Sequence, residues 1–308
     1  MKLKKVKKFI KSLLPSFILK QYSVLKITFR VSAARVKLLL HLPVRKKKLA
    51  RIKFEINLAE HCNLNCYACS NFSCIAEPEF VDTDEFKRDM SRMGEIFGHE
   101  CERIYLIGGE PLLNPEVCRL MEIARENFTK GDIFLFTNGL LRSKQPANFW
   151  ETCRDNNIAI MITPYPIKLD MPSIRNSAEK FGVPVNWTWD DDENDRNEFS
   201  IPSINLEGSN DPVLNFVNCY RAVNCITLKH GKLFTCTFAA HVGHFNKRFG
   251  KNVNITEADC IDIYKTDDPD EILRRLTEPI PACRYCDKTH PEKRVKWQHT
   301  KQEITEWL

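Results

Sequence analysis

Between residues 51 and 207, short apolar runs alternate with longer segments in which apolar residues recur at helical spacing. The short runs predict strands, and the longer segments predict helices. Repeated strand and helix units imply a parallel sheet with right-handed connections. The expected strands are 51–58, 104–107, 132–137 and 158–163, with weaker candidates at 183–187 and 201–206.

Capping residues mark the starts of two expected helices. The segment Thr83-Asp84-Glu85 precedes a helical pattern that runs to about residue 97. The segment Asn114-Pro115-Glu116 opens a second pattern to about residue 127, with proline at the first helical position. Each helix follows a predicted strand, as a repeated strand–helix unit requires.

Three cysteines, Cys62, Cys66 and Cys69, follow the first predicted strand. Tyr67 comes directly after the second of them. Three thiols cannot close a four-coordinate metal site, and a structural zinc site would need a fourth protein ligand nearby. An iron-sulfur cluster on three thiolates instead keeps one iron open. Because a CxxC pair alone is more often a zinc knuckle or a redox motif, the surrounding sequence decides the interpretation.

The second predicted strand runs into Gly108-Gly109-Glu110-Pro111. Two glycines allow backbone to approach a ligand closely, and a carboxylate can accept hydrogen bonds from an ammonium group. The cysteine motif and this motif therefore both lie at carboxyl ends of strands, which is where α/β folds place their sites.

The CxxxCxΦC motif followed by GGEP resembles the signature of the radical S-adenosylmethionine (SAM) enzymes. The resemblance implies a partial (β/α)6 barrel, in which Cys62, Cys66 and Cys69 hold a 4Fe-4S cluster. The free iron of that cluster would chelate the amino and carboxylate groups of SAM, a cofactor that carries the hard chemistry while the protein orients it. The implied SAM-site residues at the two motifs are Tyr67, Gly108, Gly109, Glu110 and Pro111.

The family usually adds a ribose contact at the end of strand three or four, where this chain has Thr137, Asn138 and Thr163. Hydroxyl groups can donate and accept hydrogen bonds, but threonine and asparagine at strand ends are also ordinary turn residues. Both interpretations stay open. The adenine-contact motif GxIxGxxE of many relatives does not occur, so the residues that hold adenine are undetermined.

After Gly208 the chain becomes rich in cysteine. The segment 225–236 predicts a β-hairpin that turns at His230-Gly231. The spacing of Cys219, Gly231 and Cys236 resembles the opening of the SPASM and twitch domains that follow radical SAM barrels. No cysteine follows Cys286, which resembles the shortened, one-cluster twitch form.

Five thiols compete for the four places of this second site. Cys219, Cys236, Cys283 and Cys286 best fit the spacing of an auxiliary 4Fe-4S cluster, although such a set also suits tetrahedral zinc. Cys225 is either an alternative ligand or a free thiol that gives a hydrogen atom to a substrate radical, which would make it catalytic. The remaining cysteines lack partners at ligand spacing and are expected in the core: Cys74, Cys101, Cys118, Cys153 and Cys260.

The charge distribution sets the first 50 residues apart. They hold 15 of the 46 lysines and arginines and none of the 40 acidic residues. Their apolar positions suit an amphipathic helix, and no uncharged run reaches the length of a membrane span. Residues 1–48 would therefore either lie on an anionic membrane surface or pack, solvated, on the acidic body. The expected domains are 1–50, the barrel at 51–207 and the auxiliary domain at 208–308.

The 13 cysteines are odd in number and clustered in an enzyme-sized chain. This distribution favours metal-binding thiols in a reducing cytoplasm over a disulfide framework. The expected localisation is cytoplasmic, with peripheral contact at the inner membrane face as a further possibility. No nucleic-acid partner is expected.

The resemblance implies an enzyme that takes one electron from a flavodoxin-type or ferredoxin-type donor, cleaves SAM and abstracts hydrogen from an unactivated C–H bond. A carbohydrate or glycan that is oxidised or epimerised is the expected substrate, since the acid-free first 50 residues do not resemble a peptide-recognition domain. A peptide-modifying enzyme is one alternative. A non-catalytic metal-binding partner of a membrane-associated complex is another. The sequence does not determine the substrate, the fate of its radical or the oligomeric state.

Overall fold

The computed structural model describes residues 28–40, 51–142, 145–188, 198–201, 203–288 and 292–308. The basic stretches 1–27 and 41–50, which belong to the predicted amphipathic segment, lie outside the described residues. The strands are β1 (Lys53–Ala59), β2 (Glu100–Gly108), β3 (Lys130–Thr137), β4 (Ile158–Ile162), β5 (Val185–Trp187), β6 (Glu198–Ile201), β7 (Thr227–Lys229), β8 (Lys232–Phe234), β9 (Cys260–Asp262) and β10 (Lys293–Lys296).

The helices alternate with the first five strands and then surround the cysteine-rich part. They are α1 (28–40), α2 (Thr83–Phe97), α3 (Val117–Asn127), α4 (Ala147–Asp155), α5 (Met171–Phe181), α6 (Pro212–Val217), α7 (Thr237–Phe249) and α8 (Pro269–Arg275). Short 3-10 helices lie at Pro111–Leu113, Glu257–Asp259, Pro281–Tyr285 and Ile304–Glu306.

Eight strands form one sheet in the order β5-β4-β3-β2-β1-β7-β8-β9. The pairs from β5 to β1 are all parallel, and their apolar residues stay in register, with Ile56 beside Leu106 and Leu106 beside Leu135. The buried residues of these strands form one core with those of α2, α3 and α4. This arrangement confirms the predicted α/β class with a parallel sheet.

The two predicted helix starts behave differently. Helix α2 begins at Thr83 as expected, and the Asp82 carboxylate caps it by accepting a hydrogen bond from the Glu85 N–H at 2.8 Å. Helix α3 begins at Val117, later than the position predicted from Pro115. The Asn114 side chain instead caps the intervening turn, because it accepts from the Glu116 N–H at 2.8 Å.

The prediction that residues 201–206 form the sixth strand of the barrel sheet was wrong, because the sixth parallel strand of that sheet is β7. Strand β6 pairs antiparallel with β10 in a separate two-stranded sheet. Its apolar residues, Phe199 and Ile201, pack into a second core with the cysteine loop rather than into the core of the main sheet. The physical reason is that the cysteine loop and the C-terminal residues bury the side chains of Phe199 and Ile201, and this second core lies outside the main sheet.

The predicted hairpin at 225–236 is confirmed. Strands β7 and β8 pair antiparallel, and both turn residues, His230 and Gly231, have positive φ angles of 49° and 66°. Two such residues are typical of the turn that matches strand twist. Strand β7 also pairs parallel with the free edge of β1, through Glu55 and Thr227. The cysteine-rich part therefore continues the main sheet.

A second core lies beneath the cysteine loop. It joins Phe72 of the loop to Phe245 of α7 and to Trp307 near the C-terminus, with ring centroids 5.8 to 6.2 Å apart. Trp307 is fully buried. The loop is thus packed from below by α7 and by the last residues of the chain.

Helix α1 shows two different faces. Ala34 is buried, and Leu38 packs on the main core. Lys37 lies near the end of α6, with its Nζ 3.4 Å from the Asn218 Oδ1. The opposite face leaves Phe29 and Leu40 more than two-thirds exposed. None of the described helices is both long and apolar enough to cross a bilayer.

Candidate active site

A cavity of about 190 Å3 opens at the carboxyl ends of β1 to β4. It brings together most of the residues that the sequence singles out, although these lie on four separate strand ends. The predicted residues that line it are Cys62, Cys66, Cys69, Gly108, Gly109, Thr137, Asn138 and Thr163, and Tyr165 joins them.

The three thiols are buried close enough to influence one another. Burial, together with the charge of Cys69, raises the pKa of Cys62 to about 11 and that of Cys66 to about 12. Burial also raises the pKa of Cys69. Three such thiols resist becoming thiolates together unless a cation is present. A cationic metal centre that binds thiolates fits this group of residues.

The hydrogen-bond donors around the thiols are neutral. The Trp297 indole Nε1 lies 3.2 Å from the Cys66 Sγ, and the Leu64 backbone N–H donates to the Cys62 Sγ at 3.4 Å. The Asn138 amide reaches Cys62 at 3.7 Å. Backbone N–H groups of residues 71–73 donate to Cys69. These donors orient the sulfurs and leave room for a metal centre to supply the positive charge.

The two glycines of the GGEP motif are required by the protein's own backbone. A Cβ atom on Gly109 would lie 2.0 Å from the His61 carbonyl oxygen, and one on Gly108 would lie 2.3 Å from the Ala59 carbonyl oxygen. Backbone hydrogen bonds from Gly109 to Ala59 (2.8 Å) and from Glu110 to His61 (3.1 Å) fix this approach. The end of β2 therefore holds the start of the cysteine loop directly.

Glu110 is fully buried, and its carboxylate accepts from three protein donors. These are the Leu112 N–H at 3.1 Å, the Thr137 hydroxyl at 2.7 Å and the Asn138 N–H at 2.9 Å. Burial raises its pKa to about 7, against the lowering effect of these hydrogen bonds. The carboxylate thus links the ends of β2 and β3, and the expected contact between Glu110 and a ligand ammonium remains a prediction.

Of the other predicted SAM-site residues, some line the cavity and others pack in the protein interior. Thr137 is buried, and its hydroxyl also accepts from the Gly139 N–H at 3.0 Å. Thr163 lines the cavity. Tyr67 packs on the second core, and its backbone N–H donates to the Gln298 carbonyl at 2.9 Å. Pro111 is buried at the start of a 3-10 helix. The ribose roles are left as predictions.

Five of the six cysteines after Gly208 also meet in space: Cys219, Cys225, Cys236, Cys283 and Cys286. Burial and the charge of Cys219 raise the pKa of Cys236 to about 11. Burial, followed by the charges of Cys236 and Cys219, raises the pKa of Cys286 to about 12. Burial and the charges of Cys236, Cys286 and Cys219 likewise raise the pKa of Cys283. These four thiols therefore lie close to one another.

The polar groups around this second thiol cluster fix its backbone and add positive charge. The Asn215 side-chain amide donates to the carbonyls of Cys283 and Cys286 at 2.8 and 2.5 Å. Arg221 pairs with Glu292 at 2.7 Å, and the buried Lys288 pairs with the same carboxylate. Two cations against one acid leave a net positive charge, which suits a centre bound by four thiolates.

Cys225 differs from the other four. Burial and the Glu55 carboxylate are the leading causes that raise its pKa, followed among the thiols by Cys236 and Cys219. Cys225 lies just before β7, close to the buried residue Glu55 of β1. Its thiol therefore faces the Glu55 side chain as well as the other thiols.

A further polar cluster lies just before the cysteine loop, and the sequence motifs do not single it out. The Glu60 Oε2 atom lies 2.9 Å from the Lys229 Nζ, 3.0 Å from the His241 Nδ1 and 2.5 Å from the His244 Nε2. These partners hold the pKa of Glu60 far below its usual range despite its burial. The carboxylate thus has three partners, one of them a full cation, whereas the buried His241 Nε2 atom has no hydrogen-bond partner among the described residues.

Sequence reasoning also missed the C-terminal residues that contact the cysteine loop. Trp297 and Trp307 lie more than 200 positions from the loop, and no motif spacing links them to it. Two tryptophans within eleven residues were the available signal.

Residues 56–163 match the model of the Radical SAM superfamily. The match covers 108 of the 308 residues, and the matched superfamily uses a 4Fe-4S cluster and SAM. A stretch of 86 residues is 33% identical to the probable GTP 3′,8-cyclase of Methanocaldococcus jannaschii. That stretch covers 28% of this chain and 28% of the relative, so it spans less than a third of the curated protein.

Two solved structures are similar in part. BtrN in complex with AdoMet and 2-DOIA has a TM-score of 0.46 at 20% identity, over 76% of this chain and 92% of that one. Native anSMEcpe with bound AdoMet and Cp18Cys peptide has a TM-score of 0.35 at 21% identity, over 44% and 42% of the two chains.

We expect Gly109→Ala to displace the cysteine loop, because its new Cβ would overlap the His61 carbonyl. Overpacking of this kind costs about 3 kcal/mol, so thermal unfolding should shift to lower temperature and iron incorporation should fall. Gly243→Ala is the matched control, since nothing lies within 4 Å of its new Cβ and it sits inside α7. Equal iron incorporation in both variants would contradict the role assigned to Gly109.

Proposed function

We propose that this protein is an enzyme that cleaves SAM reductively and uses the product to abstract a hydrogen atom from an unactivated C–H bond. The observation that carries the proposal is the cavity in which three mutually close thiols face Gly108, Gly109 and Asn138. Three thiolates leave one position of a four-iron cluster for SAM. When bound, the cluster and SAM together supply one-electron chemistry that the protein side chains lack.

In this proposal, the chain's own residues hold the cluster, fix the loop that carries it and exclude water from the cavity. Cys62, Cys66 and Cys69 hold the cluster, and the glycine approach fixes the loop that carries them. Glu110 holds the ends of β2 and β3 together through Thr137 and Asn138. Tyr165, which lines the cavity, excludes water from the reacting centre, as a hydrogen-abstracting site requires.

Cys66→Ala should abolish formation of 5′-deoxyadenosine from SAM under dithionite, because two thiolates do not hold the cluster in place. The measurement is chromatography of the products of anaerobically reconstituted protein. Cys118→Ala is the matched control, since this partly buried thiol on α3 belongs to neither thiol group.

Formation of 5′-deoxyadenosine at the wild-type rate in Cys66→Ala would contradict the ligand assignment. If cluster-loaded wild-type protein formed none, the non-catalytic alternative, a metal-binding partner of a membrane-associated complex, would be favoured instead.

We further propose that Cys219, Cys236, Cys283 and Cys286 hold an auxiliary 4Fe-4S cluster. In each of the six pairs among these thiols, the charge of one thiol helps to raise the pKa of the other. Arg221 and Lys288 add the positive charge that an all-thiolate centre favours. Zinc remains the competing metal because four thiolates serve both.

The substrate class that we propose is a carbohydrate or glycan, oxidised or epimerised at a carbon that bears a hydroxyl group. The supporting observation is the position of Cys225 just before β7, beside Glu55 of β1 and close to Cys219 and Cys236. In epimerisation, the S–H bond of Cys225 breaks and its hydrogen atom forms a C–H bond on the opposite face of the substrate radical. One electron from the donor protein and one proton then restore the thiol. In oxidation, the substrate radical would instead lose a proton, and the auxiliary cluster held by Cys219, Cys236, Cys283 and Cys286 would accept its electron, which gives a ketone.

Deuterium transfer distinguishes the substrate classes. We expect deuterium in 5′-deoxyadenosine when the enzyme turns over with a fully deuterated carbohydrate fraction of the source organism, and none with a deuterated peptide fraction. Label from the peptide fraction alone would favour the peptide-modifying alternative.

The role of Cys225 is tested with a carbohydrate substrate. The variant Cys225→Ala should still form labelled 5′-deoxyadenosine yet release no epimer. An unchanged product would favour oxidation.

We also propose that the exposed face of α1 contacts an anionic membrane surface. Phe29, Val36, Leu39 and Leu40 are exposed there, and the helix carries Arg30, Arg35 and Lys37 without an acid. Apolar side chains flanked by basic ones suit the boundary between headgroups and acyl chains.

Co-sedimentation with vesicles tests this contact. The full chain should bind vesicles that contain phosphatidylserine more strongly than neutral vesicles, and the double variant Phe29→Ser with Leu40→Ser should bind several-fold less. Leu308→Ser is the control, because that exposed apolar residue lies at the far end of the chain. Undiminished binding by the double variant would contradict the role of this face.

A further inference from the structure

The last residues of the chain lie across the cysteine loop that follows β1. Cys66 and His299 form an antiparallel bridge. The Tyr67 N–H donates to the Gln298 carbonyl and the Thr300 N–H donates to the Asn65 carbonyl, each at 2.9 Å. We call residues 297–307 the C-terminal strap. Its backbone thus pairs with the loop on both sides of Cys66.

The strap brings two indole N–H donors to the loop, and they reach chemically different acceptors. The Trp297 Nε1 lies 3.2 Å from the Cys66 Sγ. The Trp307 Nε1 lies 3.1 Å from the Cys69 carbonyl oxygen. Trp297 therefore contacts a sulfur that would be bonded to the metal centre, whereas Trp307 contacts only the backbone.

The position of Trp297 is fixed by neighbours on two sides. Its ring packs against the ring of His299 at 4.9 Å and lies 6.2 Å from the ring of Tyr165. Tyr165 also lies close to the thiol of Cys66. Cys66 thus has a tyrosine neighbour that follows β4 and an indole N–H donor from the strap.

Hydrogen bonds to the sulfurs are one of the factors that set the reduction potential of an iron-sulfur cluster. Reduction adds negative charge, part of which resides on the ligand sulfurs. An N–H dipole that points at such a sulfur stabilises the reduced state more than the oxidised state, since hydrogen bonds to charged acceptors are the stronger ones. Removal of one donor should therefore make reduction harder.

We propose that Trp297 is a positioning residue that raises the reduction potential of the cluster bound by Cys62, Cys66 and Cys69, through its N–H hydrogen bond to the Cys66 sulfur. The proposal rests on the ligand assignment given above. Through Trp297, the end of the chain adjusts how readily the site accepts an electron from its donor protein.

The test is a potentiometric titration, followed by EPR, of the reconstituted full chain. The relevant signal is the one that Cys66→Ala removes, which separates it from any second centre. Trp297→Phe keeps an aromatic ring and removes the N–H, so the midpoint potential should become more negative at unchanged iron content. Trp307→Phe is the matched control, because it also removes an indole N–H but not one that reaches sulfur. It should lower the unfolding temperature and leave the potential unchanged.

A second variant keeps the proposal testable if Trp297→Phe fails to load iron. Trp297→His retains an N–H donor on a ring, and its potential should lie nearer to the wild-type value than that of a variant with no donor, Trp297→Leu. An unchanged potential in Trp297→Phe would overturn the proposal. An equal shift in Trp307→Phe would overturn it as well, since the effect would then come from general disturbance of the loop.

The readout separates this inference from the proposed activity. Potentials are measured without turnover, so a protein that holds the cluster but does not cleave SAM would still show the shift. Conversely, SAM cleavage with an unchanged potential in Trp297→Phe would leave the proposed function intact and remove the role of Trp297.

Discussion

The structure depends on keeping three thiols close together inside the protein, where each opposes ionisation of the others. Burial is the chief reason why Cys62, Cys66 and Cys69 resist deprotonation, and the charge of Cys69 adds to it for Cys62 and Cys66. A loop that carries such a group would rearrange unless other elements held it. Four parts of the chain do so: the glycines after β2, the Asn138 side chain after β3, the second core on α7, and the C-terminal strap.

The main sheet continues from β1 into β7, β8 and β9. The second thiol group is therefore attached to the same sheet as the cysteine loop. Strand β7 adds to the free edge of β1, where the Glu55 N–H donates to the Ile226 carbonyl at 2.7 Å. On the inner side, the Glu55 carboxylate accepts from the hydroxyls of Thr227 and Thr237. Because Thr237 opens α7 directly after Cys236, the same contacts that seat β7 also position one of the auxiliary thiols.

Much of this organisation is local in sequence and was therefore predictable. The first four strands follow from short apolar runs, and the hairpin follows from its two-residue turn at His230-Gly231. The GGEP motif was also recognised from the sequence, but the reason given for its two glycines was incomplete. Its glycines were expected to admit a ligand, whereas in the structure they admit the backbone of Ala59 and His61.

The features that escaped prediction depend on contacts between distant residues. Strand β6 has an apolar pattern that suits a barrel strand, but its side chains pack on the cysteine loop and Trp307. The three donors of Glu110 come partly from β3, and the indole donor of Cys66 comes from residue 297. No periodicity or motif spacing encodes such pairs, because each partner is set by how separate elements pack.

The central claim is that the cysteine loop after β1 holds a four-iron cluster with one open position for SAM. The most direct measurement is the EPR spectrum of the anaerobically reconstituted, reduced full chain, before and after addition of SAM, together with its iron and zinc content. Two clusters of four correspond to about eight irons per chain, and the signal that Cys66→Ala removes should change when SAM is added. If the EPR signal that Cys66→Ala removes did not change when SAM is added, the account would be contradicted.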